Sequence, residues 1–293
     1  MQEQSERSLL PLLNDYKKKM NRLFVAYKPS GMGSNFFLSQ LKRKYQTKKA
    51  GFSGTLDPFA KGVLLIGMGS HTKLFRFLNK TPKTYRATLW LGAKSDSLDI
   101  ELIEEVMTIH PLPSLDVEKA VASLVGALEY EPPIFSAKRI NGQRAYDLAR
   151  AGKEVVLNKI NSTIYETKLL SYCHPFITFE ATVSEGTYIR SLGRIIAQRL
   201  GVEYGSLSAL ERLCEGQFFY DDEKALDIKK SLNIPQNFYH GESDNLKYGR
   251  VLAREDLEIQ KDGSYWVDNG ENISIITIED GCVKYELGRI EIC

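Results

Sequence analysis

The chain has 293 residues, of which 43% are hydrophobic and 26% charged, as in ordinary globular proteins that bury a substantial core. No apolar run reaches the roughly 18 residues of a membrane span, and the polar N-terminus does not resemble a signal peptide. The four cysteines and four histidines show no CxxC or metal-ligand spacing, so we expect a cytoplasmic protein without a structural metal.

The net charge of +2 is unevenly distributed along the chain. Residues 241–293 hold 6 Lys/Arg against 12 Asp/Glu, a net charge of −6, so the remainder carries +8. We expect the basic part to be the one that binds an anionic partner, although charge runs are usually solvated helix faces. The densest basic stretch consists of Lys42, Arg43, Lys44, Lys48 and Lys49.

The first predicted elements precede a glycine-rich segment. Residues 1–20 are polar and are expected to form a loosely held extension. Residues 23–27 predict a short buried strand that ends at the turn Lys28-Pro-Ser-Gly. Ser34 is a candidate N-cap for a helix. The apolar side of that helix carries Phe37, Leu38, Leu41 and Tyr45.

The segment Gly51-Phe-Ser-Gly-Thr-Leu-Asp57 places a carboxylate on a turn in front of an apolar run, residues 62–67. Pro58 disfavours a helical conformation at Asp57, and the glycines permit backbone angles that other residues avoid. Catalytic groups often lie on such loops. Taken alone, however, the pattern is more often that of a solvated turn aspartate.

Later segments predict a mixture of strands and helices without βαβ alternation. Residues 85–91 and 176–183 alternate as strands, while helices begin near Ser114 and after Tyr188. Residues 131–160 are basic and interrupted by proline and glycine, which indicates an insertion. The acidic end has short strands and an Asp280-Gly281 hairpin signal. We therefore predict an α+β fold with a mixed, mostly antiparallel sheet and flanking helices.

Common catalytic motifs are absent from the sequence. There is no GxxxxGK[ST] phosphate loop and no GxSxG serine elbow. An aspartate without a metal can act as a nucleophile or as a general base, and a nearby arginine would hold it ionised through its opposite charge and hydrogen bonds. Candidate partners are Tyr85, Tyr188 and Arg190. Singly, Tyr85 is typical of a core strand, and Tyr188 and Arg190 of a helix start.

The order of these motifs resembles one family. The segments are Lys28-Pro-Ser-Gly-Met, then Gly54-Thr-Leu-Asp-Pro-Phe-Ala-Lys-Gly-Val-Leu, Lys83-Thr-Tyr85, Asp96-Ser-Leu-Asp99, Pro132-Pro-Ile-Phe-Ser-Ala-Lys138 and Gly186-Thr-Tyr-Ile-Arg190. Together they resemble the TruB family of pseudouridine synthases, which isomerise uridine 55 in the T-loop of tRNA. The likeness covers about residues 21–215.

The resemblance implies the pseudouridine synthase fold, with a catalytic domain at 21–235 and a small PUA-like β domain at 238–293. It implies that the enzyme uses no cofactor, works as a monomer and binds the T-stem-loop of tRNA with the loop at 131–160. Asp57 matches the catalytic aspartate of the family.

The resemblance also assigns roles in substrate binding. Tyr85 matches the tyrosine that stacks on the flipped base, and Arg190 matches the arginine that pairs with the aspartate. Tyr188 lies in the pocket, Lys28 lies at the cleft, and Leu213 matches a leucine that lines the pocket.

The chain departs from the family pattern at two points. Phe52 stands where the family commonly has a histidine, so this position can stack on a base but has no proton to exchange. The acidic C-terminal segment weakens the case that the small domain binds RNA strongly.

Two other functions remain open on sequence grounds. One is a tRNA-binding and folding chaperone with secondary catalysis. The other is a nucleoside hydrolase built on a single aspartate, although glycosidases usually use a pair of carboxylates.

Overall fold

The computed structural model describes residues 20–136, 139–140, 143–144 and 157–292. The predicted N-terminal extension lies outside the described residues except for Met20, and so does much of the predicted insertion at 131–160. None of the helices within the described ranges is long and apolar enough to cross a membrane.

The elements alternate irregularly along the chain. The strands are β1 (Arg22–Lys28), β2 (Ala50–Ser53), β3 (Lys61–Met68), β4 (Lys83–Leu91), β5 (Ala93–Ser95), β6 (Ile103–Val106), β7 (Gly126–Tyr130), β8 (Arg139–Ile140), β9 (Gln143–Arg144), β10 (Ile160–Cys173), β11 (Phe176–Val183), β12 (Gly205–Glu215), β13 (Gly263–Asp268), β14 (Asn272–Glu279) and β15 (Cys282–Glu291). The α-helices are α1 (Ser34–Lys44), α2 (Ser114–Ala122), α3 (Ile189–Arg199), α4 (Ile228–Ser231) and α5 (Ser243–Tyr248). Short 3₁₀ helices span Gly69–Phe77, Ile100–Leu102 and Arg254–Asp256.

The central sheet has eight strands in the order β1-β3-β12-β4-β11-β10-β7, with β2 also paired to β3. All of its pairings are antiparallel except that of β3 with β12. The predicted α+β class with a mixed, mostly antiparallel sheet is therefore confirmed.

Strand β3 changes partners along one edge. Strand β1 pairs with residues 62–68 of β3, so β2 and β12 must share the opposite edge. Strand β2 pairs with residues 65–68, and β12 pairs with Lys61 and Gly62. The loop at 54–60, which contains Asp57, leaves the sheet where one partner replaces the other.

Helices cover the sheet on the sides that the apolar patterns predicted. Helices α2 and α3 pack on β4, β11 and β12, and α1 packs on β1 and β3. Helix α2 begins at Ser114 as predicted, whereas the N-cap of α1 is Gly33 rather than the predicted Ser34. The Ser34 hydroxyl bonds to the backbone of Leu56 instead, which ties α1 to the Asp57 loop.

The C-terminal segment forms a three-stranded antiparallel sheet, β13-β14-β15. The predicted Asp280-Gly281 hairpin joins β14 to β15, and both turn residues have positive φ, as the tight hairpin requires. The sheet shares a buried cluster with β1 and β3, in which Ile275 and Ile290 lie with Leu23 and Leu65. The predicted domain limits at 235 and 238 stay predictions.

Candidate active site

The loop at 54–60 carries Asp57 between two buried anchors. Leu56 and Phe59 insert their side chains into the main core on either side of the aspartate. The Ser34 hydroxyl accepts a hydrogen bond from Leu56 N–H at 3.0 Å and donates one to the Leu56 carbonyl at 2.9 Å. These contacts fix the backbone of the loop and leave the Asp57 side chain partly exposed.

Lys28 holds the same loop from behind. Its side chain is fully buried, and its ammonium donates to the carbonyls of Pro29 at 2.8 Å, Met32 at 2.7 Å and Pro58 at 3.4 Å. The N–H of Gly31 bonds to the same Pro58 carbonyl at 2.9 Å. Burial lowers the pKa of Lys28 to about 8, although the carboxylates of Asp57 and Glu101 favour its charged form.

Arg190 links Asp57 to a second carboxylate. Its Nε lies 3.0 Å from Asp57 Oδ2 and its Nη2 3.3 Å from Asp57 Oδ1. Its Nη1 donates to Asp99 Oδ2 at 3.2 Å and to the Ser97 carbonyl at 2.6 Å. A further bond to the Phe135 carbonyl, at 2.7 Å, orients the guanidinium completely. Such a buried fork can hold one carboxylate rigidly against another.

The two carboxylates differ in exposure. The Asp57 side chain is 35% exposed, whereas that of Asp99 is 2% exposed. The Ser97 hydroxyl and the Glu101 N–H both donate to Asp99 Oδ1, so Asp99 is a fixed anchor for Arg190. Asp57 is the carboxylate that can meet a substrate.

Opposing influences act on the Asp57 carboxyl. Removal from bulk water raises its pKa, Arg190 lowers it, Asp99 raises it and Lys28 lowers it, and the net direction is upward. Burial and the like charge of Asp99 thus offset the effect of Arg190 and Lys28 on the Asp57 pKa. This balance suits a group that must be ionised at neutral pH yet remain reactive.

Asp57 opens into a cavity of about 300 Å³. Tyr85, Tyr188 and Arg190 line this cavity together with Asp57, so the structure brings these four predicted site residues together. A second cavity, of about 590 Å³, is lined by Asp57 and Arg190 together with Asp99 and Phe135. Asp57 and Arg190 therefore line both cavities.

Three other predicted residues lie elsewhere. Lys28 stands behind the loop, where it lines neither cavity. Phe52 packs beside α1, against the cluster that contains Phe24 and Ile66. Leu213 also lines neither cavity. It is the extra residue of a bulge, since Arg212 pairs with Tyr85 and Cys214 with Thr84.

Leu210 and Arg212 line the cavity in place of Leu213. The two residues are separated by two positions, so they point to the same face of β12. The sequence contained the right strand, but the choice of side chains that reach the cavity depends on how the strand is placed in the sheet. Asp99 and Lys83 were parts of quoted motifs without a role of their own, and Glu185 gave no signal. Lys83 and Glu185 also line the cavity.

Within the described residues, no group of three or more His, Cys, Asp or Glu side chains is placed to hold a metal ion. The cavity instead combines two carboxylates, Asp57 and Glu185, with two tyrosines and several cations. This set can bind an anion, stack on a planar ring and present an ionised carboxylate to it.

Comparisons with known proteins agree with this geometry. Residues 42–189 match the model of the TruB family pseudouridylate synthase (N terminal domain). A tRNA pseudouridine synthase B from Sulfurimonas denitrificans is 76% identical over 272 residues, which cover 93% of this chain and 100% of that protein. One from Campylobacter jejuni strain RM1221 is 48% identical over 274 residues, or 94% of this chain and 100% of the relative.

Solved structures show the same fold at low identity. A crystal structure of a Cbf5-Nop10-Gar1 complex matches with a TM-score of 0.64 at 17% identity, covering 94% of this chain and 85% of that chain. An H/ACA RNP bound to a substrate RNA containing 2′-deoxyuridine matches with a TM-score of 0.61 at 16% identity, covering 93% and 85%. The family match and the curated relatives establish that this chain belongs to the TruB family of pseudouridylate synthases.

Proposed function

We propose that this protein is an isomerase that converts uridine to pseudouridine in tRNA, with Asp57 as the catalytic residue. One observation carries the proposal: a partly exposed carboxylate is held by a buried arginine in a cavity that also contains Tyr85. The proteins named tRNA pseudouridine synthase B, up to 76% identical over nearly the whole chain, support the substrate class. The finer target that we propose is uridine 55 in the T-loop.

The reaction exchanges one glycosidic bond for another. The bond between uracil N1 and ribose C1′ breaks, the base turns, and a bond forms between C5 and C1′. The proton on C5 leaves and N1 gains one, so the product is an isomer of the substrate. The ionised Asp57 carboxylate is required whether it attacks the sugar or removes a proton.

The target base must leave the stacked loop before it can enter the cavity, at a cost of a few kcal/mol. Tyr85 offers a ring face for the extruded base, and Tyr188 closes the cavity near Arg190. The Tyr188 N–H donates to the Tyr130 hydroxyl at 3.0 Å, which fixes the residue at the start of α3. We propose that both tyrosines contact the uridine.

The remaining predicted residues take different proposed roles. We propose that Lys28 positions the Asp57 loop, because its ammonium connects the turn carbonyls of Pro29 and Met32 to the Pro58 carbonyl of that loop. Leu210 replaces Leu213 as the proposed pocket leucine. Phe52 stays a predicted stacking contact for the RNA loop, through the part of its ring that α1 does not cover. The T-stem-loop as binding element and the monomeric state also stay predictions.

Tritium release tests the function. Unmodified tRNA with tritium at uracil C5 should lose its label to water in the presence of the protein, because C5 forms the new bond. Asp57→Asn should lower this release by at least about 10²–10⁴-fold, the range for loss of a catalytic acid or base. Binding of tRNA should change little, since Asn is isosteric.

Each rival function has its own outcome in this assay. Tight tRNA binding without tritium release by the wild-type protein would favour a chaperone. Free uracil in the supernatant would favour a nucleoside hydrolase. Release that survives in Asp57→Asn would remove Asp57 from the chemistry.

A further inference from the structure

An unusual ion cluster lies at the rim of the active-site cavity. Glu185 Oε1 lies 3.9 Å from Lys80 Nζ and 3.4 Å from Lys83 Nζ. The Glu185 side chain is 56% exposed, whereas those of Lys80 and Lys83 are 19% and 6% exposed. A solvent-exposed carboxylate is thus held against two lysines that are largely withdrawn from water.

The charges beneath Glu185 do not balance without it. Lys83 Nζ also lies 3.4 Å from Oε1 of the fully buried Glu215, whose Oε2 is 3.5 Å from Arg212 Nη2. Glu215 can neutralise only one of the three cations Lys80, Lys83 and Arg212. When Glu185 moves away, the cluster carries a net charge of +2, and buried cations need an anionic partner.

The cluster faces the position that a substrate would occupy. Lys83, Glu185 and Arg212 line the same cavity as Asp57 and Tyr85. Glu185 lies on the turn between β11 and α3, followed by Gly186 with φ +83°, and its side chain is in contact with solvent. An RNA strand that delivers a base to this cavity also brings phosphates to its rim, and lysine binds phosphate as a point charge.

We propose that Lys80 and Lys83 form a phosphate-binding site for the tRNA backbone, and that Glu185 occupies this site in the RNA-free protein. The inference rests on the proposed function, since the phosphate belongs to the bound substrate. Glu185 acts as an internal competitor that a phosphodiester displaces. It holds the two lysines in position before the RNA arrives.

Removal of the competitor should tighten RNA binding. Exposed ion pairs are worth about 0.2–1 kcal/mol, so Glu185→Gln should bind unmodified tRNA about 1.4-fold to fivefold more tightly than the wild-type protein. The matched control is Glu279→Gln, which removes an exposed carboxylate 3.5 Å from Lys284 on the C-terminal sheet. The control changes net charge equally and should leave the affinity unchanged.

Removal of a lysine should have the opposite effect. Lys80→Met should weaken binding and reduce the salt slope, log Kobs against log[salt], by about 0.7–0.9, the loss of one phosphate contact. Glu185→Gln should no longer tighten binding as strongly in the Lys80→Met background. Lys83 is left intact because its removal would leave Glu215 buried with one partner fewer.

Replacing single phosphates of the RNA by uncharged linkages would locate the phosphate that binds the two lysines. Single methylphosphonates placed around the target uridine of a T-stem-loop RNA should weaken binding, and at one position this loss should vanish in Lys80→Met. The inference is wrong if Glu185→Gln behaves as Glu279→Gln does, or if the losses are additive at every position. Failure of the proposed function is a separate result, because it would appear as absent tritium release in the wild-type protein.

Discussion

Arg190 is the residue on which the site is organised, because its guanidinium spans Asp57, Asp99 and two loop carbonyls. From the sequence alone, Arg190 could be proposed as the partner of Asp57. The anchor on Asp99 became visible only in the structure, since 91 positions separate the two residues. The arginine is therefore a positioning residue for the proposed catalytic carboxylate as well as its counter-charge.

We predict that Arg190→Ala lowers catalysis far more than tRNA affinity. Arg190 is one of the charges that keep Asp57 ionised, so its removal should raise the Asp57 pKa further and move the acid limb of kcat/KM to higher pH. The pH profile and the tRNA dissociation constant would be measured together. Arg199→Ala, an exposed arginine on the same helix, is the control.

Arg190→Ala also leaves two carboxylates without their partner, so a loss of stability of about 3–5 kcal/mol is expected. Folding must be checked by circular dichroism before kinetics are compared. Equal losses in catalysis and affinity would contradict the positioning role of Arg190 beside Asp57.

Lys28 should make stability depend on pH in the alkaline range. Its folded-state pKa of about 8 lies below the ordinary value of about 10.4. Between these values the unfolded chain holds the proton that the folded protein has lost. Stability therefore rises with pH across this window. Urea unfolding at several pH values should show this extra rise in the wild-type protein and not in Lys28→Met. Parallel curves for the two proteins would count against it.

At the scale of elements, the Asp57 loop depends on the close approach of β3 and β12. Gly62 has φ +117°, and a Cβ placed there would lie 2.3 Å from the Arg212 carbonyl oxygen. Gly126 has the same φ, but a Cβ there would meet nothing within 4 Å. The two glycines share a backbone conformation and differ in their surroundings.

We predict that Gly62→Ala destabilises the protein much more than Gly126→Ala. Backbone strain should cost about 1–3 kcal/mol in both variants. The clash at Gly62 should bring its total above about 4 kcal/mol, in the range of exceptional mutations. Chemical denaturation would measure both losses, and similar values would mean that β12 can move away from β3 freely.

At the scale of the whole molecule, the C-terminal sheet is packed against the catalytic part rather than tethered to it. Two neighbouring residues of β14, both fully buried, point to different clusters. Ile275 joins the cluster shared with β1 and β3, and Ile276 lies in a cluster within the C-terminal segment, with Leu246 and Leu252. This alternation allows the interface to be tested separately from the small sheet itself.

We predict that Ile275→Ala and Ile276→Ala each lower local stability by about 2–5 kcal/mol, but that they affect different parts of the protein. Hydrogen exchange should show lost protection in β1 and β3 for Ile275→Ala, because a cavity opens at the shared core. For Ile276→Ala the loss should be confined to the C-terminal sheet. Identical exchange patterns would indicate that the whole chain unfolds as one unit, without local openings.

Much of the architecture was encoded locally. Continuous and alternating apolar runs predicted the strands at 23–27, 85–91 and 176–183, and the Asp280-Gly281 hairpin was confirmed, because periodicity and turn chemistry depend on near neighbours. The helix starts at Ser114 and after Tyr188 were also confirmed, but the N-cap of α1 was not. Ser34 was expected to cap α1, but its hydroxyl has a stronger structural use on the Asp57 loop.

The sequence by itself determined the family, the α+β class and the proposed catalytic Asp57, because these depend on residue order and local pattern. Only the tertiary structure decided which side chains share the cavity. Leu210 rather than Leu213 lines the cavity, Lys28 bonds to the back of the Asp57 loop, and Asp99 bonds to Arg190. These placements depend on contacts between strands and loops far apart in the chain, where one residue of register reverses the direction of a side chain.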